Sequence, residues 1–201
     1  MPRPPINANP IDWSGENPSI TLKGPDGETT CLVSFFRVVV SPHGPGHAAF
    51  VLTDPGGSAG SAAVNGCFTD NERLARYLLD GFVSKFAAWQ GVPALVGLRF
   101  FPSDRFTHTG DHQTAWTEWV TGPGVDLALT WRELDRPFMV EYLKEQSATG
   151  AHEMFSLFVP ARSAEVVANG VVGRGQPGPR DMFGTRSSTA FLAFSETWVK
   201  V

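Results

Sequence analysis

The sequence predicts a mainly β domain with one long helix: an α+β arrangement in which an antiparallel barrel or sandwich of about ten strands carries a helix over 70–90 packed on its sheet. Three observations lead there. The 201 residues include 21 glycines and 16 prolines, and most of these fall between short apolar runs, where they punctuate strands. Only 18% of residues are charged, against about a quarter in an ordinary soluble domain, so Lys and Glu are too scarce to coat several long helices. One segment alone sustains a helical apolar period.

Taken in order, residues 1–17 hold four prolines and few apolar groups and read as an extended Pro/Asn-rich arm, with Ile11 and Trp13 placed to pin its end. Residues 18–201 then form a single globular domain. Ile20–Lys23 is a first strand, turned by Gly24-Pro25-Asp26-Gly27. Cys31–Val40 (CLVSFFRVVV) is β-branched and aromatic almost throughout, as a strand buried on both faces must be. Ser41 to Gly46 ends it, and Ala48–Thr53 returns as its antiparallel partner.

The helix follows. Thr69 and Glu72 stand in capping-box spacing, and Leu74, Leu78, Phe82, Phe86 and Trp89 form a stripe that Tyr77 and Val83 widen. Gly91 and Pro93 supply the stop. Beyond it, Val125, Leu127, Leu129 and Trp131 alternate with Asp126, Ala128, Thr130 and Arg132, the period of a strand with one wet and one dry face. Similar runs are Leu95–Phe101, Thr114–Val120, Phe138–Leu143, Met154–Val159, Ala164–Ala168 and Ala190–Val199.

Charge narrows the partners. Sixteen basic residues are scattered among twenty acidic ones, for a net charge of −4, and no basic run is long enough to follow a phosphate backbone, which argues against nucleic acid. No apolar stretch approaches the roughly 18 residues of a membrane span. Residues 1–10 contain no apolar segment of signal type, so the expected setting is cytoplasmic, with Cys31 and Cys67 as reduced, buried thiols.

Two glycine motifs fail in context. Gly56-Gly57-Ser58-Ala59-Gly60 fits G-x-S-x-G, but Asp54-Pro55 breaks the strand that a nucleophile elbow needs, and Asn65-Gly66 cuts off a following helix. Gly173-Arg174-Gly175-Gln176-Pro177-Gly178 fits G-x-G-x-x-G, but Pro177 and Pro179 sit where the phosphate-binding helix would run. Residues 173–184 read instead as a long mobile loop whose Arg174 and Arg180 are able to clamp an anion.

Four of the five histidines fall in two H-x-x-x-H pairs, His43 with His47 and His108 with His112. Two imidazoles plus a carboxylate are a ligand set for zinc or iron, and Asp111, with Glu118 nearby, adds the oxygen; His108, Asp111 and His112 also form an acid–base candidate. His152 beside Glu153 is a third, although neighbours in a strand face opposite ways. The aromatic inventory, 15 Phe and 6 Trp against 2 Tyr, suits a dry cavity. Trp116 and Trp119 fall on opposite faces of one strand and Trp131 on the apolar face of the next; with Phe82, Phe86, Arg174 and Arg180 they are the candidate ligand-binding residues.

The expected function is therefore a soluble small-molecule-binding domain with an aromatic-lined cavity for an apolar or aromatic molecule, gated by the loops at 54–61 and 173–184. Two alternatives stand beside it. One is a metal-dependent or acid–base enzyme built on the paired histidines. The other is a structural protein that forms homo-oligomers through its N-terminal arm or strand edges.

Overall fold

The computed structural model describes residues 7–58, 60, 63–182 and 184–201. In chain order the strands are β1 (Ile11–Glu16), β2 (Ser19–Lys23), β3 (Thr29–Val40), β4 (Gly46–Leu52), β5 (Asn65–Thr69), β6 (Phe100–Pro102), β7 (Arg105–Gly110), β8 (Ala115–Gly122), β9 (Val125–Leu134), β10 (Phe138–Tyr142), β11 (His152–Ala168), β12 (Val171–Val172), β13 (Gln176–Pro177), β14 (Pro179–Met182), β15 (Thr185–Ser188) and β16 (Ala190–Lys200). The single α-helix among the described residues is α1 (Glu72–Gly81). Fourteen strands form one mixed sheet, and β14 and β15 pair with each other as a hairpin.

β3 organises the sheet. Leu32, Phe36 and Val38 are buried on one face, and Cys31, Val33 and Phe35 on the other. β4 lies along one edge of β3, while β2 and then β1 share the other. β16 pairs with β1 and β2, and β11 pairs with β16 through its first half and with β9 through its second. The strand path ends in β6 and β7, which only Ser103 and Asp104 separate. Ser103 donates its N–H to the Thr69 carbonyl (2.9 Å) and Asp104 to that of Thr121 (3.2 Å), so one chain segment passes from β5 to β8.

Two cores result, one on each face of the sheet. Leu74, Leu78, Phe82, Val83 and Trp89 cover Leu32, Phe36, Phe50, Phe158 and Trp198. On the opposite face Val120, Leu127, Leu129 and Trp131 pack on Val33, Phe35, Val51 and Leu192. Burying each large side chain in this way contributes about 1.5–3 kcal/mol. The buried Trp131 indole donates to the Ser19 carbonyl at 2.9 Å, so its N–H is not left unpaired.

Several expectations need correction. The helix spans Glu72–Gly81, not 70–90, and continues only as a 3-10 turn at Val83–Lys85. Steps of four advance about 40° around a helix, so the stripe from Leu74 to Phe86 would swing off its face; the chain breaks at Phe82 and restarts, which keeps Phe82, Val83 and Trp89 all buried. The N-cap is Asn71, whose side chain accepts from Leu74 N–H, while the Thr69 hydroxyl donates to the His47 carbonyl. Of Leu95–Phe101 only Phe100 and Phe101 join a strand, and Met154–Val159 and Ala164–Ala168 are two halves of one strand. The end of the expected arm forms β1, between β3 and β16. Half of the expected 173–184 loop is paired, β13 on β2 and β14 on β15, and its residue 183 lies outside the described ones.

Candidate functional site

The site begins with an irregularity in β16. Phe191 and Ala193 face the helix-side core, so strict alternation would send Ser195 and Thr197 there too. Ser195 instead adopts φ 52°, in the left-handed region, and the register with β11 slips between Phe155↔Thr197 and Leu157↔Phe194. This β-bulge puts two residues of β16 against Ser156 and reverses the parity. Glu196 and Trp198 therefore turn toward the helix side. Close strand approach supports the arrangement: opposite Glu196 stands Gly15, where a Cβ would lie 2.0 Å from the Arg37 carbonyl oxygen.

Glu196 is buried, 3% exposed, and lines a cleft of about 510 Å³. Phe86, Trp89, Tyr142, Phe158, Phe191 and Trp198 form its aromatic walls, and Asn17, Ser19, Thr21 and Ser34 a polar one. The segment that leaves α1 thus closes one side of the cleft, while α1 itself covers solid core. Phe191 stacks on Phe158 (centroids 4.6 Å apart), and the Arg180 guanidinium lies 5.4 Å over the Phe191 ring. Lys23 and Lys85 complete the charged lining; Lys23 donates to the Thr29 hydroxyl at 2.7 Å.

Burial pushes the Glu196 carboxyl up to about 7, against hydrogen bonds from the Trp198 indole (2.7 Å) and the Ser156 hydroxyl that favour the carboxylate. A carboxyl that titrates near neutrality inside a partly apolar cleft is able to accept or give a proton, or to bind a cation. A second depression of about 860 Å³, between the 135–138 turn and the β14–β15 hairpin, is lined largely by Pro and Arg and has only Phe138 as an aromatic wall.

The residues singled out in the sequence do not converge. Phe86 and Arg180 line the cleft, whereas Phe82 fills the core between Trp13 (5.8 Å) and Trp198 (5.1 Å). Trp131 is core, Trp119 is 40% exposed on the outer face, and Arg174 is exposed with its carbonyl accepting from the Thr30 hydroxyl. Trp116 is buried elsewhere, with the rings of His108 and His112 stacked on it at 4.3 and 4.8 Å. Its indole donates to Glu118, which also receives both guanidinium ends of Arg37, and Arg37 reaches Glu16 as well.

Asp111 serves its own turn, accepting from Gln113 N–H, Thr114 N–H and the Thr114 hydroxyl; those bonds hold it below the usual carboxylate range. His47 pairs with Asp70 (2.6 Å) and stacks on Phe106, while the His43 ring lies against Tyr77. The two histidine pairs thus have separate surroundings, and among the described residues no group of three or more His, Cys, Asp or Glu side chains is placed to hold a metal ion. His152 turns away from Glu153 to a partner 140 residues distant, Asp12, at 2.7 Å; Thr149 meets its other ring nitrogen at 2.8 Å and Lys200 meets Asp12 at 2.8 Å. Ser58 follows a turn, its hydroxyl donating to Asp54, and residues 59 and 61 of that expected gate lie outside the described ones.

Sequence reasoning missed Glu196, Trp198 and Trp89 as site residues. The available signal was FSETW, a lone acid in an otherwise mainly apolar strand; the bulge that aims it has no sequence signature of its own. No helix among the described residues is long and apolar enough to cross a membrane. No protein family, curated protein or solved structure matches this chain.

Proposed function

We propose that this domain binds a small molecule with an aromatic or apolar body in the cleft between the Lys85–Gln90 turn and the face formed by β2, β10, β11 and β16. The observation that carries the reading is the set of six aromatic side chains converging on one cavity of about 510 Å³, a size that accommodates a small ligand. Its rings supply stacking surface, and Asn17, Ser34 and Glu196 supply a few polar groups to fix orientation. Within this reading the sheet is a barrel-like scaffold: β6 and β7, at the two ends of its strand path, are joined through Ser103 and Asp104. Arg180, presented by the β14–β15 hairpin, makes that hairpin the natural gate.

The test is a titration of the protein with 2-naphthylmethanol, followed by tryptophan fluorescence. Saturable quenching is expected, weakened at least tenfold in Trp89→Ala and unchanged in Trp119→Ala. Absence of binding at millimolar probe, or loss of it only in the Trp119 variant, would overturn the proposal.

A further inference from the structure

Three carboxylates are buried among the described residues: Asp12, Glu118 and Glu196. Two have a counter-ion built into the fold. Asp12 meets Lys200 and His152, and Glu118 is gripped by Arg37. Glu196 has hydrogen bonds from Trp198 and Ser156 but, among the described residues, no cation within ion-pair distance, although it lines the cleft directly. A carboxylate withdrawn from water is costly unless it is paired.

Resting on the cleft reading above, we infer that the ligand carries a single basic nitrogen, and that its ammonium group pairs with the Glu196 carboxylate between the rings of Trp198, Tyr142 and Phe86. Aromatic faces carry negative potential and favour a cation placed against them, so walls and carboxylate select the same group. Lys23, Lys85 and Arg180, the other charged side chains lining the cleft, repel a second positive charge and so limit the ligand to one. The bulge at Ser195 serves this purpose, because a regular strand would offer Thr197 in place of Glu196.

Three isosteric probes decide the matter: 2-naphthylmethylamine, 2-naphthylmethanol and 2-naphthoate, titrated calorimetrically at pH 8 into the full chain. The amine is expected to bind the wild type at least tenfold more tightly than the alcohol, and the naphthoate more weakly than both. In Glu196→Gln the amine should lose at least tenfold, and with it its preference over the alcohol. Equal binding of amine and alcohol to the wild type, or an amine affinity that Glu196→Gln leaves unchanged, overturns the inference while the cleft reading stands. Failure of all three probes to bind overturns both. The comparison among probes on the wild type needs no variant, and so decides even if Glu196→Gln does not fold.

Discussion

The Trp198 indole donates its N–H to Glu196 at 2.7 Å, across a spacing of two residues on one strand face. That bond both satisfies a buried donor and holds a carboxylate oxygen in place at the cleft wall, so the bulge at Ser195 positions two functional groups together.

Stability should respond to Glu196 in a defined direction. Its folded pKa, about 7, lies above the ordinary 4.5, so the folded chain keeps a proton that the unfolded chain releases between those values. The group's contribution is therefore fully favourable below pH 4.5, declines as pH rises toward 7 and is constant above. Lys23, Lys85, Tyr142 and Arg180 share the cleft. Relative to wild type, Glu196→Gln should gain on the order of 3 kcal/mol between pH 4.5 and 8, measured by urea denaturation at the two pH values. A difference that does not change with pH would contradict this.

Arg37→Met should destabilise the fold by about 3–5 kcal/mol, because it leaves Glu118 buried without its counter-ion. Burial already raises the Glu118 pKa, and Arg37 restrains that rise. Adding Glu118→Leu should recover most of the loss; a double variant no better than the single one would show that the guanidinium contributes through packing alone.

Asp12 ties β1 to the rest of the sheet. Burial pushes its carboxyl up, but the pairings with Lys200 and His152 prevail and hold it below 3.8. A lowered folded pKa contributes stability above the unfolded value that is lost as pH falls through the folded one. Asp12→Asn should therefore cost about 2–4 kcal/mol at pH 7 and progressively less below pH 3.8, as seen in acid-unfolding curves.

Cys31 and Cys67 are buried in the two different cores, on opposite faces of the sheet, and are not joined to each other. Burial pushes the Cys31 thiol up to about 12 and that of Cys67 well above its ordinary value. Neither should react with a thiol reagent such as DTNB at pH 8 in the native chain, and both should react in 6 M guanidinium. Rapid native labelling would mean that one of the cores opens readily.

The elements legible in the sequence were those with strong local signals. β3 and β9 announce themselves through continuous and alternating apolar patterns, and α1 through its stripe. β1 was hidden because its sequence, IDWSGE, follows a proline-rich stretch and owes its strand to partners more than 20 and 180 residues away. β14 and β15 were hidden because PRDM and TRSS have little apolar content, so no apolar period marks them and only their cross-strand pairing shows them as strands. The cleft was largely illegible for a related reason. Its lining comes from β2, the turn after α1, β10, β11, β14 and β16, whereas the histidine and tryptophan groupings visible in the sequence were local ones that the fold leaves in separate places.

The most direct test of the cleft as a ligand site is the set of six tryptophan indole N–H resonances in a ¹H–¹⁵N spectrum recorded while 2-naphthylmethylamine is added. Trp198 and Trp89, which line the cleft, should shift in a saturable way, while Trp119 on the outer face and Trp131 in the opposite core stay in place. Shifts at Trp119 or Trp131 without movement of Trp198, or no saturable shift at all, would contradict it.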